Sequence, residues 1–442
     1  MPLGSDHERV HLAVVWGRRR VGKTALIEQF GRDRPTIFHT AAGRPAEQEL
    51  RLLSRQVSTL DAGRRDLVAR PFHDWDDAMD VLSAIWEQRQ VRIVFDEFPE
   101  LTTTSPELPG VLRAMLDRPS RHTKLLLSGS AVRTMYAMQG VRAPLYGRVD
   151  LTLGLHPFRP HEAAAMLADL DPAERAQVWT IVGGVPLYLR WWDTSSDLAS
   201  NIERLVTRTD GRLLHEGQLV LATEAGSGDL TGPVLRAIAT GRTKYSEIND
   251  VAKADAARTL ERLIELRLIE RSVPVTDDAR RTRRRVYHIA DNFLAFWLGV
   301  VDRFRSEIER GLGQTIITSV LATLDAHAGP RWEAAVREHL RRVAITGALG
   351  DDIVAVGRWW RDRPEPVEID AVVLSGADRR PVLAAKAKWT TTVDGRRVAS
   401  ALRRRTTYLP NADNNLRLAI AARKHVTNAD DITVITAADI FS

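Results

Sequence analysis

No cysteine occurs anywhere in the 442-residue chain. That excludes disulfides, thiolate metal sites and a cysteine nucleophile, and it favours the cytoplasm. Long apolar runs are missing too: the longest, Phe293 to Val301, is far short of the ~20 residues a membrane helix needs. The lead from Met1 to Val10 is polar, unlike a signal peptide, so no membrane partner is expected. What is present suits a globular protein, with 44% hydrophobic and 27% charged residues in a length suggesting roughly two to four domains. A formal net charge of +6 permits nucleic-acid contact, although solubility alone accounts for an excess of that size.

The most informative stretch is Gly17-Arg18-Arg19-Arg20-Val21-Gly22-Lys23-Thr24, directly after the apolar run Leu12 to Trp16. It matches the phosphate-binding pattern G-x-x-x-x-G-K-[ST], with a strand leading in and a helix from Ala25 to Phe30 leading out. In that context Gly17 and Gly22 let the backbone turn tightly. The N–H groups at the helix start, Ala25 included, face phosphates. Lys23 reaches the β- and γ-phosphates of ATP and the Thr24 hydroxyl ligates Mg²⁺. A second apolar strand, Val91 to Phe95, ends in Asp96-Glu97. Asp96 then belongs to the metal shell and Glu97 orients the attacking water. Lys23 and Glu97 are the candidate catalytic pair. A further strand ends in Ser128-Gly129-Ser130, where either serine suits a γ-phosphate contact or simply a strand-to-loop turn. Strands at Thr36–His39 and Asp150–Leu155 alternate with helices at 45–60 and 75–89. The expected fold is α/β, a doubly wound parallel sheet of the P-loop NTPase kind over residues 1–155.

The loop, Phe95-Asp96-Glu97-Phe98-Pro99, Leu127-Ser128-Gly129-Ser130, Leu145-Tyr146-Gly147-Arg148 and Leu155-His156-Pro157-Phe158 follow in that order. Together they resemble the archaeal-type ATPases, relatives of the AAA+ and STAND ATPases. Gly183-Gly184-Val185-Pro186-Leu187-Tyr188-Leu189 is similar to that family's lid-helix signature. The resemblance implies ATPase activity, a helical lid at 156–230, and Arg148 as a contact to the phosphates of its own or a neighbouring subunit's nucleotide in a homo-oligomer. The family places a helix before the first strand that closes over the adenine. Here the strand follows a short polar lead, so the expectation is either a true start further upstream or a looser hold on the base.

Residues 231–305 read as three helices followed by strands at Leu268–Arg271 and Arg285–Ile289, the order of a winged helix-turn-helix. Its tip carries Arg280, Arg281, Arg283, Arg284 and Arg285, a run suited to DNA phosphates. The third helix mixes Arg258 and Arg262 with Glu261 and Glu265, a surface ill suited to base reading. Such modules also serve in packing, so both readings stand. The Trp191-Trp192 pair, at helical spacing, reads as packing.

Residues 310–442 offer a helix opened by Gly329-Pro330 and running to Leu340, then three strands. That pattern resembles the PD-(D/E)xK nuclease core, a small restriction-endonuclease-like α/β domain that the ATPase family often carries. Glu333, Asp370 and Lys388 match its motif. The second acidic position, two before Lys388, is Lys386, a cation where a metal ligand belongs, so a degenerate nuclease site is expected. Glu368 shares a strand face with Asp370 and is the one substitute carboxylate in view. Arg403-Arg404-Arg405 reads as a solvated helix face.

Overall fold

The computed structural model describes residues 11–60, 65–118, 124–223, 230–413 and 415–442. The polar lead 1–10, on which the reading of a loosely held base rests, lies outside them. Two compact units divide between His156 and Pro157.

The first unit is built on β1 (Leu12–Gly17), β2 (Thr36–Thr40), β3 (Arg92–Asp96), β4 (Leu125–Gly129) and β5 (Leu151–Leu155), in the order β2-β3-β4-β1-β5. Every pairing is parallel, so every strand delivers its C-terminal end to the same edge. Buried parallel strands need apolar residues on both faces, and β1 reads Leu-Ala-Val-Val-Trp-Gly. One face, with Leu12, Val14, Phe95 and Leu127, packs against α2 (Ala46–Ser58), α3 (Trp75–Gln88) and α5 (Leu108–Leu116). The opposite face, with Val15, Val94 and Leu126, packs against Ile27 of α1 (Lys23–Gly31). The short α4 (Phe98–Thr104) and α6 (Val132–Ala137) follow β3 and β4. Helix α3 shows how the sequence specifies these elements. Trp75, Ala78, Met79, Leu82, Ile85 and Trp86 recur at helical spacing and are all buried. The Asp74 carboxylate starts the helix by accepting from the Asp77 N–H at 2.8 Å, a cap that satisfies an otherwise orphaned donor.

The second unit begins with helices Pro160–Ala164, Pro172–Val182, Pro186–Trp191 and Arg212–Thr223. Asp171 and Glu174 cap the second of these reciprocally, at 2.9 Å each way. Next come helices Thr231–Ala239, Tyr245–Ala252 and Ala257–Glu265, and the antiparallel hairpin β6 (Ile269–Ser272) and β7 (Val286–Ile289). These segments share one hydrophobic core, centred on the helix Asn292–Gly299. Phe293 to Leu298 are all buried, which is why that stretch is apolar all round. Trp191 and Trp192 pack in the same core.

The next helix corrects the sequence expectation. It does not open at Gly329 but runs from Gly313 to Ile345, with Pro330 inside it. Its first half buries Val320 and Leu324 in the helical core, and its second half buries Trp332, Ala335, Val336 and Leu340 under the C-terminal sheet. Packing along both halves outweighs the ~3 kcal/mol that an interior proline costs. The sheet comprises β8 (Ile353–Arg361), β9 (Val367–Ser375), β10 (Arg380–Ala387), β12 (Arg417–Ala421) and β14 (Thr433–Ile435), in the order β14-β12-β10-β9-β8. The helix Gly395–Thr406 packs on it, and β11 (Thr392–Asp394) pairs with β13 (His425–Thr427) beside it. No helix of the described residues is long and apolar enough to cross a membrane.

Gly217 tests the shared helical core. A Cβ there would stand 2.1 Å from the Trp297 ring, so the helix-propensity gain of about 1 kcal/mol for alanine is overridden by overpacking. Gly217→Ala is expected to lower the unfolding free energy by about 1–3 kcal/mol, read as a fall in the urea midpoint at unchanged slope.

Candidate functional site

The loop 17–24 leaves the C-terminal end of β1 and enters α1. Its two glycines have separate steric reasons. A Cβ on Gly17 would lie 2.5 Å from the Leu155 carbonyl oxygen on β5, and Gly22 turns into the helix at φ +93°. Lys23 is buried, and its ammonium donates to the carbonyls of Gly17 at 2.9 Å and Arg18 at 3.2 Å. Thr24 and Ala25 are exposed in the first turn of α1. The Thr24 hydroxyl donates to Asp96 Oδ2 across 3.2 Å, joining residues 72 apart in sequence.

Asp96 ends β3 two positions beyond Val94, and Ser128 lies two beyond Leu126 on β4. Both therefore fall on the α1 side of the sheet. Asp96 Oδ1 and the Ser128 hydroxyl are buried without a hydrogen-bond partner. A buried carboxylate oxygen with no donor is costly, and a hard cation held by oxygen ligands would satisfy it. Thr24 and Asp96 are the oxygen donors that would hold such a cation. Glu97 follows at φ +50°, ψ +44°, a left-handed conformation uncommon outside glycine and typical of functional sites. Its Oε2 accepts from the Ser130 N–H at 3.1 Å and the Ser130 hydroxyl at 2.8 Å. Ser130, rather than Ser128, is the serine that meets the acidic pair.

Arg148, expected among the phosphate contacts, lies elsewhere. It precedes β5, whose register aligns Leu151 with Ala13 and Leu155 with Gly17. The N-terminal end of a five-residue strand is roughly 16 Å from its C-terminal end. There Arg148 grips Asp117 through Nε at 2.7 Å and Nη2 at 2.9 Å. That is the strand end opposite the loop 17–24, which leaves the C-terminal end of β1.

Sequence pattern alone does not single out His39, on β2. Its Nε2 lies 3.1 Å from Glu49 Oε2 and its Nδ1 3.2 Å from Gln56, and burial lowers its pKa despite the Glu49 charge. Glu49 Oε1 also accepts from the N–H groups of Ala42 and Arg44. The pair braces the chain leaving β2 beside Asp96, whose carbonyl accepts from Ala41. A histidine in a strand and a glutamate on the apolar face of α2 were the available signals.

A second cluster stands on the C-terminal sheet. Carboxylate oxygens of Glu333, Glu368 and Asp370 lie within 4.8 Å of one another. Lys386 Nζ is 2.6 Å from Asp370 Oδ1, and the Ala387 N–H donates to Oδ2 at 2.8 Å. Arg358 pairs with Glu368, and Arg337 lies 3.9 Å from Glu333. Each carboxylate already faces a resident cation. Lys388, matched to the nuclease motif, is exposed beyond the end of β10, and among the described residues no ion pair ties it to the cluster. Burial, with the neighbouring Asp370 charge, pushes Glu333 up to about 7.

The hairpin arginines divide. Arg280, Arg281 and Arg283 are exposed. Arg284 is held by Asp277 and donates to the Trp360 carbonyl at 2.8 Å, and Arg285 is partly buried. The chain between β6 and β7 docks on β8, with the Val275 N–H donating to the Arg358 carbonyl at 2.9 Å. Of the five arginines read as suited to DNA phosphates, Arg281 lies 3.6 Å from Asp278, Arg284 is held by Asp277 and Arg285 is partly buried.

Residues 297–399 match a family described as archaeal and bacterial proteins of unknown function. An uncharacterized protein of Methanocaldococcus jannaschii is 26% identical over 396 residues, covering 87% of this chain and 84% of its own. Among solved structures, a Walker-type ATPase of Pyrococcus abyssi is similar at 21% identity and a TM-score of 0.49, over 66% of this chain and 91% of that one. The ORC2 protein of Aeropyrum pernix is similar at 14% identity and a TM-score of 0.41, over 70% and 89%.

Glu333 gives a pH test. Its carboxyl binds a proton more tightly folded than unfolded, from 4.5 to about 7. The stability this contributes is complete below pH 4.5 and is lost as pH rises through 7. Relative to Glu333→Gln, the unfolding free energy should fall between those limits by at most ~3 kcal/mol, measured by urea titration at stepped pH.

Proposed function

We propose that this chain binds ATP with Mg²⁺ at the loop 17–24 and hydrolyses it, in the cytoplasm, as a nucleotide-controlled switch. The observation that carries the reading is the meeting of Thr24 with Asp96 beside a buried, unsatisfied Asp96 Oδ1. In this reading the N–H groups from Gly22 to Ala25 receive the phosphates, with Gly17 allowing the close turn. Lys23 exchanges its loop carbonyls for β- and γ-phosphate oxygens. Thr24 and Asp96 hold Mg²⁺, which when bound neutralises charge on those oxygens. Ser128 stands beside Asp96 as a polar contact on the same face. Glu97 orients and polarises the attacking water once Ser130 releases its carboxylate.

The segments 156–230, 231–305 and 310–442 serve in this proposal as lid, winged helix and nuclease-like module, whose states nucleotide biases. Arg148 has a role only towards a neighbouring copy in a homo-oligomer, after release from Asp117. Metal-dependent cleavage is left out because Lys386 and Arg358 already pair with two of the three carboxylates that cleavage would need for metal. A second reading, a DNA-binding or scaffold protein with little turnover, is favoured by the exposed Arg280, Arg281 and Arg283.

Phosphate release separates the two readings. Glu97→Gln is expected to keep ATP binding and lose turnover by about 100-fold or more. A wild-type protein without turnover, or turnover indifferent to that substitution, would contradict hydrolysis. For DNA, affinity should fall with salt. Replacing Arg280, Arg281 and Arg283 by glutamine should flatten the log–log slope by about 2 to 3, whereas an unchanged slope would remove the hairpin from the interface.

A further inference from the structure

The helix Gly395–Thr406 carries five arginines and no acidic residue. The C-terminal sheet separates it from the carboxylate cluster. Glu333 belongs to the helix Gly313–Ile345, which packs on the sheet face of Val373 and Ala385. Ala399 and Leu402 pack on the other face, with Val372, Leu374 and Ala384. With Ala399 and Leu402 turned inward, Arg397 and Arg404 point away from the sheet. Seven residues separate them, two turns, so they stand in one row roughly 10 Å apart along the axis. Arg396 and Arg403 form a second row on the flank.

The fold occupies only part of this set. Arg405 is spent on the Glu368 carbonyl, at 3.1 Å. Arg396 lies 3.7 Å from Asp430 with both side chains largely exposed, a pair worth little. Arg397, Arg403 and Arg404 are exposed, and among the described residues their side chains make no ion pair or hydrogen bond. The acids of the neighbouring segments are placed otherwise. Asp394 caps the helix by accepting from the Arg397 N–H at 3.2 Å, Asp413 pairs with Arg380 and Asp362 with Lys244. Glu365 and Asp431 are exposed to solvent. The helix macrodipole accounts for arginines in the last turn, but it opposes Arg396 and Arg397 in the first. A solvated surface helix alternates the sign of its charges; this one does not.

We propose that the outward face of the helix Gly395–Thr406 docks on the phosphate backbone of duplex DNA, without reading bases and without cleavage. Every cation on the face is an arginine, whose fork matches two phosphate oxygens at once. A single strand fits less well, because it calls for several open rings on which bases stack. Tyr408 is the one exposed aromatic among the described residues from 353 to 442, and the Arg361 guanidinium lies over it, 3.5 Å from the ring centre. A membrane surface calls for apolar side chains beside the cations, whereas Ser400 is what stands exposed between the arginines. The proposal rests on the DNA-binding reading given above and adds to it a contact separate from the hairpin. It does not depend on ATP hydrolysis.

The test titrates the full chain with a short labelled DNA duplex by fluorescence anisotropy at stepped salt. Arg397→Gln with Arg404→Gln should reduce the log–log salt slope by about 2. The thermal unfolding temperature should stay or rise, since a first-turn cation is removed. Should that double variant unfold, Arg403→Gln takes its place, with a reduction of about 1. Lysine at both positions should keep the slope. Arg303→Gln with Arg310→Gln, exposed on the same unit and removing equal charge, should keep it too. Unlabelled duplex DNA should compete better than single-stranded DNA, duplex RNA or polyglutamate. A slope lowered by the hairpin substitutions but not by those at Arg397 and Arg404 overturns this proposal and leaves the DNA reading standing. Equal competition by any of the other three polymers also overturns it. A wild-type chain that binds no duplex overturns both.

Discussion

The bond from the Thr24 hydroxyl to Asp96 joins two segments that share no local sequence, and the rest of the first unit is what makes it possible. Thr24 is placed by the turn from β1 into α1, which Gly17 and Gly22 permit sterically. Asp96 is placed by β3, held level with β1 through β4 in a wholly parallel sheet. Had β3 slipped by one residue, Asp96 would face the α3 side of the sheet instead of the α1 side. The apolar faces that fix this register are therefore part of the site. They bury Phe95 on one side and Val94 on the other, leaving the next two side chains, Asp96 and Glu97, at the open edge. The unsatisfied Asp96 Oδ1 and the left-handed Glu97 are local costs that such a framework can bear.

The second unit handles charge in the opposite way. Around Asp96 an oxygen is left without a donor; around Asp370 every carboxylate has a cation. Lys386 marks the difference, since a carboxylate in its place would leave Asp370 and Glu333 seeking a metal. The long helix Gly313–Ile345 packs into both halves of that unit. It lies in the helical core at one end and carries Arg331, Glu333 and Arg337 to the sheet at the other. The hairpin reaches the same sheet from a third direction, with His288 accepting from Arg358 and Arg284 donating to the Trp360 carbonyl.

Sequence pattern revealed the parts whose causes are local. An apolar strand, a glycine-bounded loop and a helix are legible from neighbouring residues, as is an acidic pair at the end of an apolar run. That Lys386 stands where the nuclease-like motif has an acid was legible only through the resemblance. What could not be read depends on distant packing. The bond between Ser130 and Glu97 spans 33 residues and needs a backbone conformation no residue type announces at Glu97. Arg148 was correctly seen beside a strand, but which end of the sheet it occupied decided its role. Pro330 looked like a helix start because proline favours that position, and only the burial of Val320 and Leu324 before it shows otherwise. The engagement of Arg284 by Asp277 and Trp360 likewise required the hairpin to be docked.

The central claim is that Thr24 and Asp96 form a metal-assisted phosphate site, and its most direct measurement is calorimetric titration of ATP with and without Mg²⁺. Wild-type protein should bind ATP more tightly with Mg²⁺, and Asp96→Asn should lose most of that gain while keeping its fold. Equal affinity in the presence and absence of Mg²⁺, or an Mg²⁺ effect untouched in Asp96→Asn, would contradict the account.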